Sequence, residues 1–108
     1  PETDLPAAVE YRDLLKKYYP EDTPNFVSFE GFINAKVLVK MIRDAGQNLT
    51  RDGLIAAGET IKNMDVGLGP ATITYGPDDH RGLDKVYYTV IVDGKYQLVD
   101  DFKTLKKY

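Results

Sequence analysis

The residues with the clearest chemical potential lie together at Thr74 to Gly82, "TYGPDDHRG", where Asp78 and Asp79 stand beside His80, the one histidine of the chain. Carboxylate oxygen suits hard cations and imidazole nitrogen suits transition metals, so a metal centre is the first chemistry to weigh. The spacing argues against it. Consecutive residues of an extended segment point to opposite sides, and a calcium loop fails because Thr89 occupies the position that needs a bidentate glutamate. Gly76-Pro77-Asp78 instead predicts a turn in which Asp78 or Asp79 bonds nearby backbone N–H groups and Gly82 relaxes the exit.

Other catalytic sets have little material. Ser28 is the sole serine and cysteine is absent, so a nucleophile–base arrangement has no good components. Ser28 reads more simply as a helix cap. Glu30 and Glu59 fall on helix surfaces by pattern, where a carboxylate is solvated rather than tuned for acid–base work. Gly67 and Gly69 lead into a strand, not from a strand into a helix, so they do not form a phosphate loop. Asn48-Leu49-Thr50 matches a glycosylation sequon but reads better as a helix start. Neither a catalytic residue, a metal ligand nor a cofactor is expected.

Most of the eight tyrosines and four phenylalanines fall on buried periods and belong to packing. Phe29 is the exception, because the helical face it shares otherwise carries charge. Phe26, Ser28 and Phe29 are therefore the candidate ligand-binding positions, beside a helix N-terminus whose free N–H groups can receive an anionic or polar group.

The totals bound the partners. With 108 residues, 14 Lys plus Arg against 17 Asp plus Glu and a net charge of -3, the chain is a single segment with no electrostatic footprint for nucleic acid or an anionic membrane. Apolar runs are too short to span a bilayer. The lack of cysteine excludes a disulfide framework and fits a reducing cytoplasm or a periplasm equally.

The elements that must position these residues follow from local signals. Asp4 and Pro6 predict the start of a first helix with Ala8, Tyr11, Leu15 and Tyr18 at helical spacing, stopped by Pro20. Ser28 predicts the cap of a second helix that runs to Gly46. Its apolar arc comprises Phe32, Ala35, Val37, Leu38, Val39, Met41, Ile42 and Ala45, while Phe29 and Ile33 lie over the arc of Lys36, Lys40 and Arg43. Thr50 caps a third helix, with Leu49 and Leu54 as a hydrophobic staple and a stripe of Leu54, Ala57, Gly58 and Ile61 that can extend to Met64. "DVGLGP" reads as loop, Ala71 to Tyr75 as a strand, and Lys85 to Val92 as a strand covered on both faces. Asp93-Gly94 turns into "KYQLV", and "DDFKTLKKY" reads as a polar tail or short helix.

Three helices and about three strands do not close on themselves. The wide arc of the second helix and the two apolar faces of the Lys85 to Val92 strand need a covering, either from a larger α/β protein or from self-association as a homo-oligomer.

The order of segments supplies a frame. "VEYRDLLKKYYPEDTPNFVSFEGFINAKVLVKMIRDAG", then "LTRDGLIAAGETI", then "GLGPATITYGPDDHRGLDKVYYTVIVDGKYQLV" resembles the C-terminal portion of type I periplasmic solute-binding proteins, the branched-chain amino acid group that serves ATP-binding-cassette importers. The resemblance implies an α/β fragment of a two-lobed fold, with a small molecule held between lobes joined by three crossovers. Residues of about 1–77 would belong to one lobe and about 83–108 would cross to the other, so "GPDDHRGLD" would lie at the final crossover. It further implies a non-enzymatic receptor in the periplasm or extracellular space, with an ABC permease as partner. The segment "NFVSFEGF" would approach the solute, through Phe26, Ser28 and Phe29.

Overall fold

The computed structural model describes residues 1–99 and 103. Three helices precede two separate antiparallel strand pairs, an α/β architecture. Helix α1 spans Pro6–Tyr18, α2 spans Phe26–Ala45 and α3 spans Arg51–Glu59; strands β1 (Met64–Leu68), β2 (Ala71–Ile73), β3 (Tyr88–Val92) and β4 (Lys95–Val99) follow. The expected polar tail falls largely outside the described residues.

Helix α1 begins at Pro6 as expected, since a first-turn proline forfeits no intrahelical bond. Leu5, not Asp4, occupies the cap position and offers no side-chain bond. The entry is held instead by Arg12, whose guanidinium donates to the carbonyls of Pro1 (2.6 Å) and Thr3 (2.7 Å). Helix α2 starts earlier than Ser28. Asn25 is its cap, and its Oδ1 accepts from the Ser28 N–H at 3.0 Å, which makes Ser28 the capped residue rather than the capping one. Gly46 ends the helix at φ 58°, as its position suggested. Thr50 caps α3 by accepting from the Gly53 N–H at 3.0 Å, and Leu49 before it is 63% exposed.

The core gathers Ala7 of α1, Ile33 and Val37 of α2, Ile61 after α3, Val66 of β1 and Ile73 of β2, with Phe29, Phe32 and Met41 packed around it. The side of α2 that carries Phe29 and Ile33 is therefore an inner side, while Leu38, Val39 and Ile42 of the expected arc stay exposed. Position on the helical wheel cannot say which of two apolar sectors meets α1 and β1. Strand β1 starts at Met64, which spacing placed on the stripe of the third helix, and runs into the segment read as loop at "DVGLGP"; it pairs with β2 from Met64↔Ile73 to Leu68↔Ala71 across an irregularity. Its two-residue alternation is broken by Gly67, whose φ of 85° bends the strand and lets it pass close to Ala7.

The β3–β4 hairpin has the expected two-residue turn, with Asp93 at φ 49° and Gly94 at φ 75°. It is not covered on both faces: Val90, Val92 and Val99 are half-buried, while Tyr88, Ile91, Tyr96 and Leu98 are exposed. The chain is correspondingly open, with a radius of gyration of 16.8 Å where a compact chain of this length has about 13 Å.

Candidate functional site

The aspartate–histidine cluster resolves into a turn. Gly76 and Asp79 exchange backbone bonds, Gly76 N–H to Asp79 O at 2.9 Å and Asp79 N–H to Gly76 O at 3.2 Å, which closes the chain around Pro77 and Asp78. Asp79 Oδ1 accepts from the Arg81 backbone N–H at 2.9 Å, and its carboxylate receives the Arg81 guanidinium at 3.1 and 3.2 Å. His80 turns elsewhere, with Nε2 2.9 Å from Glu59 Oε1 of α3. Three neighbouring residues thus take separate partners, and among the described residues no three His, Asp or Glu side chains converge on a point that could hold an ion. Beyond the turn, the Thr74 N–H donates to Gly82 O at 3.3 Å, so the segment folds back beside β2.

The Arg81 hydrogen bond, reinforced by its charge, holds the Asp79 carboxyl below the ordinary aspartate value of 3.8. Because the folded value is the lower one, the contribution of this pair to stability is present at neutral pH and fades as pH falls through that depressed value. Both groups are solvent-exposed, so the effect is local. Carbonyl-carbon NMR titration should show Asp79 titrating below 3.8, and Arg81→Ala should raise it only part of the way back, because the backbone N–H at position 81 still donates to Oδ1.

The other candidates lie around the N-terminus of α2, which starts where the Asn25 cap places it. Phe26 is 54% exposed and meets Tyr96 of β4 edge-to-face, with centroids 4.9 Å apart and planes at 84°. Val27 beside it is 81% exposed. Ser28 faces α1, with Oγ 2.5 Å from the hydroxyl of buried Tyr11, which also accepts from the Asn25 N–H at 3.2 Å. Phe29 turns inward and packs on the Tyr11 ring at 5.2 Å. The three candidates therefore share one helix end but face different surroundings: a hairpin aromatic, a hydroxyl pair and the core.

Two contributors escaped sequence reading. Tyr96 lies on the returning hairpin strand, 70 positions after Phe26, and nothing local joins them. Tyr11 was placed on a buried period, but its hydroxyl had no visible partner until α1 and α2 crossed.

A family model described as periplasmic binding protein matches residues 1–95. No curated protein and no solved structure matches the chain. With the match covering three helices, both β1 and β2, the turn and β3, the chain belongs to the periplasmic binding protein family.

Proposed function

We propose that the chain forms part of a non-catalytic receptor, periplasmic or extracellular, that captures an amino acid or related small carboxylate for an ATP-binding-cassette importer. Membership of a family of binding proteins supports the solute-receptor part of this reading; the amino acid class and the importer rest on the likeness of "EGFINAKVLV" and "GPATITYGPDDHRG" to the branched-chain group. Residues of about 1–77 would serve one lobe and about 83–108 the other, with solute binding shifting the population from open to closed lobes.

The observation that carries the site is the contact of Phe26 with Tyr96 at 4.9 Å. It brings the exposed N-terminal end of α2 against the hairpin, two elements assigned to different lobes. Phe26 and Ser28 would approach the solute, with Phe29 behind them as packing. Isothermal titration of the receptor, with both lobes present, against aliphatic and aromatic amino acids tests the reading. Phe26→Ala should weaken the bound solute by about 5- to 10-fold, the loss of one well-packed aromatic contact. No heat with any amino acid would overturn the assignment.

A second reading has its own observation. Leu38, Val39 and Ile42 on α2 and Ile55 on α3 are exposed apolar side chains, which suits self-association as a homo-oligomer. Sedimentation of the intact receptor separates the two, because assembly that persists with both lobes present favours this one.

A further inference from the structure

A hollow lies between α1 and α2, with a volume of about 310 Å³, at the small end of ligand sites. The rings of Tyr11, Tyr18, Tyr19 and Phe32 wall it together with leucines of α1. Its polar groups are the tyrosine hydroxyls, Ser28 and Asp22, and no described lysine or arginine lines it. The hydroxyls both donate and accept hydrogen bonds, and Asp22 adds the one negative charge of the described lining. The Asp22 backbone N–H donates to Tyr19 O at 3.0 Å, which fixes the residue at the edge of the groove, and its carboxylate joins none of the ion pairs among the described residues.

The rings themselves attract cations. Lys17 Nζ stands 5.0 Å from the centroid of Tyr18, its chain neighbour, and Lys36 Nζ, which also pairs with Glu10 at 2.5 Å, stands 5.4 Å from that of Phe32, although neither lysine lines the hollow. An aromatic wall, an unpaired carboxylate and a lining without cations together select one guest chemistry: a planar apolar body for the rings, carrying a positive nitrogen for Asp22. We infer that this groove is a binding site for a small arylalkylammonium compound, with Asp22 as the charge-selecting residue. A carboxylate guest would meet Asp22 as a like charge, and a neutral guest would leave it unused.

The described residues that line the groove lie between positions 11 and 32; it shares Ser28 with the proposed solute site, but its charge selection rests on Asp22, which that site does not use. Its test is an amide NMR titration of the ¹⁵N-labelled chain with three probes of similar shape: phenethylamine, 2-phenylethanol and phenylacetate. The amine should produce saturable shifts at Tyr11, Tyr18, Tyr19 and Phe32, with an affinity about 3- to 10-fold above the alcohol and the acid weakest. Asp22→Asn should lower the amine to within about twofold of the alcohol and leave the alcohol unchanged. Lys17→Ala, which removes a competing ammonium from the Tyr18 ring, should raise amine affinity by about 2- to 5-fold. Equal binding of amine and acid, no saturation by the amine, or an Asp22→Asn effect equal on all three probes would overturn the proposal.

Discussion

Gly67→Ala should destabilise the chain by about 2–4 kcal/mol, the sum of a left-handed conformation imposed on a residue with a β-carbon and of overpacking against a neighbour that cannot move. Gly67 has a φ of 85°, and an added Cβ would stand 2.7 Å from the Ala7 backbone nitrogen and 3.2 Å from its Cα. Those atoms belong to the first turn of α1 and are fully buried, so relief requires α1 to lift from β1. Against a typical total of about 5–15 kcal/mol for a domain, this loss is large, and chemical denaturation should show it as a markedly lower midpoint. Gly31→Ala is the matched control. Gly31 is an exposed position inside α2 with nothing within 4 Å of the added carbon, so that change should stabilise by about 0.5–1 kcal/mol. Equal responses at the two positions would show that the close approach of β1 to α1 is wrong.

Tyr11→Ala should cost about 3–5 kcal/mol, as large aromatic truncations in cores do. The ring is 3% exposed and packs against Phe29 at 5.2 Å and Phe32 at 5.9 Å, so its removal leaves a cavity where α1 crosses α2. Tyr11→Phe keeps that packing and removes the hydroxyl that accepts from the Asn25 N–H and pairs with Ser28 Oγ. Its cost should be about 1 kcal/mol, because Asn25 is exposed and water can replace part of the loss. Denaturation of both variants under one condition measures the two components separately. A Tyr11→Phe loss as large as that of Tyr11→Ala would mean that the hydroxyl network, not the ring, holds the helices together.

These two sites mark the limits of what could be read in advance. Pro6, Gly46, Thr50 and Asp93-Gly94 were legible because each acts on φ, ψ or a hydrogen bond within four residues of itself. The Gly76-Pro77-Asp78 turn was legible for the same reason. Asn25 was missed as the α2 cap because Ser28, three residues on, carries an equally suitable oxygen; geometry chose between two adequate signals. Strand β1 was missed because Asp65, Gly67 and Gly69 dilute its alternation, while its pairing with β2 and its contact with Ala7 are not local.

The candidate site divides along the same line. That the N-terminal end of α2 is unusual was visible from Phe29 and Ile33 lying over a charged arc. That Phe29 faces Tyr11 while Phe26 faces Tyr96 was not, since both partners are distant in sequence and a wheel gives directions without neighbours.

By itself, then, the sequence determined the stops of α1 and α2, the hairpin turn and the segment pattern that marks a periplasmic binding protein. Only the tertiary structure decided which side of α2 is buried, that Met64–Leu68 is a strand, and that His80 pairs with Glu59. The physical reason is range: caps and turns are settled by torsions and bonds among adjacent residues, whereas burial and pairing depend on where separate elements cross.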